Sequence, residues 1–534
     1  MCIYGDIVFI NGNVITVNQN NEIFEAAAIK EDKIIFVGSN KEAETYIGEK
    51  TKTIDLKGRS LLPGFIDSHV HMAVYGMNAL GIDCRYPGIK SIEDIKNLIK
   101  EASKKIPKGE WIRCWGYDHS KLKENRHPTR WDLDEAAPNH PVILTRTCAH
   151  ISTHNSKSLK LAGIDENSDS PPGGEIEKKD GMPTGVMKEN AHMNMLKVSQ
   201  FSKEELIKGL KRANDDFIKQ GITSLHDAGG YSAVQMAAMQ EAVEEKIVNI
   251  RIYSIIFSFV ENINFIKDYV KIGLHTNFGN EKLKLGPIKI MTDGSSSGPT
   301  AATNEPYSNG SGSRGIMCMT KEDIEDHILE AHVAGYQVTA HAVGDRAIEQ
   351  VIGAIEKALK VMPKKNHRHR IEHCAIVNEK IISKIKQLGI IPIPQPTFLF
   401  EFGDGYMVNY GENRVNKMFP CKTFIQNNII CAGSSDCPIT FINPLLGIHM
   451  AVNRITQTGQ KISQEEKISV EEAIKMYTYN GAYASFEENI KGSLEVGKLA
   501  DLVILSENIL ECSAEKIKEI EVDMTIIGGK ILTQ

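Results

Sequence analysis

Residues 61–71 read LLPGFIDSHVH, an apolar run that ends in two histidines separated by one residue. A β-strand repeats every two residues, so on an extended backbone His69 and His71 leave the same face and can grip one ion together. Two histidines so spaced are also common by chance, and a hydrogen-bonded structural pair competes with the ligand reading. The rest of the chain decides by supplying or withholding further ligands.

A chain of 534 residues exceeds what one core normally holds, so two or three folded units are expected. A barrel with a smaller companion domain fits that length. The 41% hydrophobic and 24% charged fractions are those of an ordinary globular protein and exclude disordered and collagen-like classes. The formal charge is only -6, with lysine and glutamate scattered, so neither a nucleic-acid footprint nor a polybasic membrane patch is present. No stretch approaches the roughly 20 apolar residues of a membrane helix. The start, MCIYGDIVFING, has no basic flank or cleavage pattern, and a cytoplasmic enzyme is expected. Ten cysteines without a CxxC pair make no disulfide scaffold.

Residues 1–60 hold short alternating runs with tight turns, GDIVFINGNVITV and AAAIKEDKIIFVG, and the other end repeats the pattern in ADLVILSENI and VDMTIIGGKIL. Each end offers too few strands for a core of its own. Residues 1–60 and 488–534 are therefore expected to form one discontinuous β-sandwich. Between them, residues 61–487 alternate apolar runs with helical patterns, which predicts an α/β fold built on a (β/α)8 TIM-like barrel. The candidate strands are LLPGFIDSHVH, GITSLHDAG, NIRIYSII, LGPIKIMTDGS, YQVTAHAVGD, RIEHCAIV, GIIPIPQPTF and NIICAGSSDCP. Capping-box spacings at Ser202/Glu205, Thr320/Asp323 and Ser469/Glu472 mark helix starts, and Gly221, Gly335 and Gly389 mark helix ends. Residues 83–199 break the alternation with a helix capped by Ser91, all three tryptophans and the strand-like PVILTRT. Following the first barrel strand, this insertion is read as a lid or substrate subdomain; a scaffold extension with a tryptophan-filled core is the plainer alternative.

Four further candidates fall within later strands: Lys289 in LGPIKIMTDG, His341 in YQVTAH, His373 in RIEHC and Asp436 after CAGSS. In a closed barrel they converge near the C-terminal rim. Neutral imidazoles with a carboxylate suit zinc and, less specifically, iron, manganese or nickel. A lysine ammonium would be repelled by such a cation. Either Lys289 points away, or its amine has reacted with CO₂ to give an anionic carbamate. His327 and His332, on a helix, are expected to be solvated or partly packed, and His367 and His369, in KKNHRHR, to form a solvated turn.

In NGNVITV, LLPGFIDSHVH, GITSLHDAGG, IKIMTDGSSSG, TAHAVGDRAI, RIEHC, GSSDCP and GSLEVGKLADLVIL, nearly the whole chain resembles the amidohydrolase superfamily. The resemblance is to its YtcJ-like branch of metal-dependent hydrolases, which includes N-substituted formamide deformylase. PTRWDLDEAAPNHPVILTR and PPGGEIEKKDGMPTG extend the match through the insertion. The resemblance implies one metal at His69, His71 and Asp436, a second at His341 and His373, and a carbamate on Lys289 bridging them; members with one metal leave the number open. It places His226 as a support for the ligands or a substrate contact. His150 is a candidate substrate contact, with Ala149 before it where a glycine is expected. The implied activity is hydrolysis of an amide-like C–N bond (amide, N-substituted formamide or cyclic amide) in a small-molecule substrate by a metal-activated hydroxide, with Asp436 moving the proton. A metal-barrel isomerase or lyase and a non-catalytic regulatory member are the alternatives. A homodimer is compatible with the resemblance.

Overall fold

The structure, a computed structural model, describes residues 4–230, 232–257 and 265–533. Residues 1–3 and 534, the outermost parts of the expected sandwich, lie outside them. Seven parallel strands form one sheet in sequential order: β1 (Phe65–Val70), β2 (Ile222–Asp227), β3 (Arg251–Ile256), β4 (Leu283–Met291), β5 (Val338–Ala342), β6 (Arg370–His373) and β7 (Ile391–Ile393). Helices separate them, and their apolar faces bury Leu210, Phe217, Ile328, Val351 and Ile385 in one continuous core with Ile252, Ile288 and Ile371 of the strands. This is an α/β, TIM-like barrel.

The eighth expected strand, NIICAGSSDCP, does not form a ladder. Its chain nevertheless closes the ring, because Ala432 N donates to Pro392 O beyond one edge, while Ser68 N donates to Gly433 O and Asp436 N to His69 O on the other. Asp436 has φ 54, in the left-handed region, and such a residue cannot continue a strand. The opening run also divides. Ser60–Pro63 pairs with Leu502–Leu505 and Asn13–Ile15, and the barrel strand begins only at Phe65.

Ser60–Pro63 belongs to a six-stranded sheet that also holds Val522–Ile527 and Lys530–Thr533. A four-stranded sheet joins Lys33–Gly38, Ala26–Lys30, Ile7–Ile10 and Lys52–Asp55. Phe9, Ile29 and Ala27 of the second sheet share one buried cluster with Leu61, Leu502 and Ile526 of the first.

Residues 82–189 carry a further six-stranded sheet, inserted between α1 (Met72–Leu80) and α2 (Lys203–Lys219). Its core is aliphatic, around Ile92, Ile95, Ile99, Leu133 and Leu144. The tryptophans sit against arginines instead, with Arg85 4.6 Å from the Trp115 ring and Arg130 5.3 Å from Trp131. The capping boxes at Ser202 and Ser469 form, Thr320 caps its helix, and Gly389 ends its helix at φ 69. His332, expected solvated or partly packed, and His367 and His369, expected in a solvated turn, are buried: His332 Nδ1 bonds His369 Nε2 at 2.9 Å, and His367 Nε2 bonds Leu388 O at 2.7 Å. The basic run KKNHRHR folds inward because each of these rings finds a polar partner there. No helix among the described residues is long and apolar enough to cross a membrane.

The entry to the insertion depends on a glycine pair. A Cβ on Gly76 of α1 would lie 2.1 Å from Gly209 O on α2, a backbone atom with nowhere to go. Gly76→Ala is expected to lower stability by about 1–3 kcal/mol, as overpacking does. Gly353→Ala, on the helix Asp345–Val361 with open space around it, should be neutral or stabilising. Thermal unfolding of the two variants checks this contrast.

Candidate metal centre

A cavity of about 70 Å³ opens at the C-terminal ends of the barrel strands, and His69, His71, His150, Lys289, His341, His373 and Asp436 all line it. His69 Nε2 and His71 Nε2 lie 3.3 and 3.5 Å from Asp436 Oδ1. These three residues are a group able to hold one metal ion. The His341 and His373 rings lie 4.5 Å apart, and His373 is 5.2 Å from His69. Lys289 is buried, with Nζ 3.2 Å from His69 Nε2. It does not snorkel.

Each ring is held by its other nitrogen. His71 Nδ1 donates to Gly229 O at 2.8 Å, His373 Nδ1 to Gln395 Oε1 at 2.8 Å, and His341 Nε2 to Gly294 O at 3.2 Å. Oxygen acceptors put the proton on the held nitrogen and turn the lone pair toward the cavity. Burial pushes His71 down to about 3, His373 to about 4 and His341 well below the usual value, so these imidazoles are neutral. Neutral imidazoles, an ionised aspartate and a lysine whose amine burial pulls below its ordinary value form a donor set that fits a divalent metal.

His69 is held differently. Its Nδ1 bonds Glu372, which also accepts from Arg370 Nε at 2.9 Å and from Thr339 Oγ1. Burial alone would raise Glu372, but Arg370 and His69 hold it well below the ordinary carboxylate range. In an unbroken strand Glu372 and His373 would leave opposite faces. Both reach the centre because the backbone turns left-handed at His373 and Cys374, with φ 69 and 45. Arg370 Nη1 bonds His226 Nδ1 at 2.9 Å. An arginine only donates, so that nitrogen accepts and His226 is neutral. His226 is fully buried and does not line the cavity; it reaches the centre only through Arg370 and Glu372.

Three buried aspartates clip the strand ends. Asp67 accepts from His69 N and Ser435 N at 3.2 and 3.1 Å, Asp227 from Met72 N at 2.8 Å, and Asp293 from Val343 N and Gly344 N at 3.0 and 2.9 Å. Burial pushes their carboxyls up to about 6, 7 and 7.

From the insertion, Cys148, Ala149 and His150 reach the cavity, and no tryptophan does. Ala149 has φ 56, the conformation for which glycine is best suited. His150 Nδ1 lies 2.8 Å from Glu189, which also has positive φ, at 50. Burial opposes a charge on His150, but Glu189 outweighs it and holds the imidazole up at about 9. Strained backbone on both sides of one ion pair is typical of a working site. Sequence reading missed Glu372, Arg370, Gln395 and Glu189; RIEHC carried the first two in plain view.

The model of the amidohydrolase family matches residues 52–533. The chain is 30% identical over 532 residues to the putative amidohydrolase YtcJ of Bacillus subtilis, covering 98% of each chain. It is 28% identical to the N-substituted formamide deformylase of Arthrobacter pascens, covering 98% of this chain and 97% of that one. The crystal structure of an uncharacterized metal-dependent hydrolase from Pyrococcus horikoshii superposes with a TM-score of 0.79 at 26% identity, over 95% of this chain and 99% of that one.

Glu372→Gln removes the charge that faces both His69 and Arg370. Metal affinity is expected to fall about 10- to 100-fold. Titration of the metal-free protein with zinc, read by calorimetry, checks this; unchanged affinity would show that Glu372 does not govern His69.

Proposed function

This chain belongs to the amidohydrolase family, and from that premise we propose that it hydrolyses an amide-like C–N bond in a small molecule. The observation that carries the reading is the convergence of five imidazoles, Asp436 and Lys289 on one cavity. The relative named as an N-substituted formamide deformylase supports the choice of bond. In this reading His69, His71 and Asp436 would hold one divalent ion, zinc foremost, and His341 and His373 a second. Lys289, as a carbamate, would serve as a further ligand; its burial favours the unprotonated amine that reacts with CO₂. When bound, the metal makes water nucleophilic at neutral pH and polarises a carbonyl.

The protein's own groups do the rest. The Asp436 carboxylate, held below its ordinary range chiefly by His69 against the effect of burial, takes a proton from the attacking water and delivers it to the leaving nitrogen. His150, kept cationic by Glu189, donates a hydrogen bond to the substrate oxygen across the cavity. The cavity volume of about 70 Å³ is roughly five water positions, enough for the scissile group and a small acyl substituent. Residues 1–60 and 488–534 form a companion β-sandwich in this reading, and 83–199 a substrate-facing subdomain.

Asp436→Asn should keep the fold and bind metal while turnover of formamides and simple amides falls at least about a thousandfold; near-normal turnover would remove Asp436 as the proton carrier. Heavy-oxygen water should label the carboxylate product. An unlabelled product would point to isomerase or lyase chemistry.

The imidazolium of His150 is the donor form and exists below its pKa of about 9. Activity should therefore fall as pH rises through that value. Because the folded value lies above the ordinary one of about 6.5, the pair's contribution to stability is complete below 6.5 and lost through about 9. Glu189→Gln should move the basic limb of the pH–rate profile down by about one to two units, and His150→Gln should abolish it.

A further inference from the structure

A second cavity, of about 60 Å³ and here called the outer one for its half-exposed aromatic rim, shares Pro438 and Ile439 with the first. The same three segments line both: Cys148 faces the inner one and Thr147 the outer, Phe398 the inner and Glu401 with Phe402 the outer, while Pro438 and Ile439 border both. Phe398, Glu401 and Phe402 lie one turn apart on the helix Thr397–Tyr410, which makes them neighbours on one face. Pro438 and Ile439 are thus the border that a substrate with its acyl end in the inner cavity would cross to put its other end in the second.

The outer cavity has aromatic lips, Tyr86 and Phe441, each about half exposed. Two of its four charges are already paired. Arg85 is paired with Asp83, its Nη2 2.6 Å from Oδ2, and Asp118 accepts from Arg146 Nη2 at 3.0 Å. Lys121, 5.6 Å over the Tyr86 ring, and Glu401 are in no ion pair among the described residues, and Glu401 is the acidic one. Its Oε1 is buried with no hydrogen-bond partner among the described residues. A buried, unsatisfied carboxyl oxygen is costly. Burial pushes the Glu401 carboxyl up, while Lys121 and Arg85 pull the other way. A donor arriving in this cavity would satisfy the oxygen, and a cationic donor would do so most strongly.

We propose that the outer cavity receives the distal end of the leaving group and that Glu401 binds a primary ammonium there, so that mono-N-acyl diamines are the preferred substrates. The inference rests on the amide-hydrolase reading above. Water adds its oxygen to the acyl carbon, the C–N bond breaks, and the diamine leaves carrying the proton. The aromatic lips pack against the alkyl chain between its two nitrogens.

The test compares mono-N-formyl short-chain diamines with N-formyl alkylamines of matched length that end in methyl. The ratio of kcat/KM should favour the amine-ended series by at least about tenfold, fall at least about fivefold in Glu401→Gln, and be partly kept in Glu401→Asp. Binding of the free diamine, measured by calorimetry on the metal-loaded protein, should weaken in Glu401→Gln by a similar factor. An unchanged ratio, or equal diamine affinity in wild type and Glu401→Gln, would overturn the proposal. If no formamide is turned over, the hydrolase reading falls by itself, and the diamine affinities still decide the role of Glu401.

Discussion

The pairing of Arg370 with Glu372 inside the barrel is the interaction on which the centre depends. Both side chains are fully buried, and taking two such charges out of water is costly unless every lone pair and proton is used. Here they are spread over many partners: Arg370 reaches Glu372, Ser68 O and His226, and Glu372 reaches Arg370, Thr339 and His69. Staves β1, β2, β5 and β6 meet at this one pair. Removing a single partner from such a buried pair typically costs about 3–5 kcal/mol, because the other charge is left behind. The same bonds orient the His69 ring and fix the relative heights of four strands.

Around this pair the ends of the strands are tied by carboxyls that burial drives toward neutrality. Asp227 and Asp293 accept backbone N–H groups where the chain leaves a strand, and Asp67, within β1, accepts those of His69 and Ser435. Such side chains replace ladder bonds where the sheet has ended. They leave the residues at the rim free to adopt conformations that a regular strand would forbid, including those of His373 and Asp436.

The sequence made short-range geometry legible. A period of two put His69 and His71 on one face, and helix caps were readable from three-residue spacings such as Ser202 to Glu205. Lys289, His341 and His373 could be placed because each sits in an apolar run that became a strand. What failed depended on backbone exceptions or distant partners. Glu372 is next to His373, where strand alternation turns neighbours apart, and only the left-handed backbone at His373 and Cys374 lets both face the centre. NIICAGSSDCP had the composition of a strand, but it makes only scattered bonds to its neighbours and turns left-handed at Asp436. His367 and His369 sat in a basic run yet found His332 and Leu388 O inside the protein. No local pattern links His150 with Glu189, which pair only because the insertion folds back on itself.

The irregular eighth stave gives the centre an unusual dependence on completeness. His69 stands on the first stave and Asp436 on the last, and they meet only because that last segment bonds to the edges on either side of it. No fragment that lacks either end of the barrel can assemble the full ligand set. The fold thus withholds its chemistry from half-made chains: the ring must be shut before the centre exists, and occupancy of the centre becomes a record that the whole barrel has been completed.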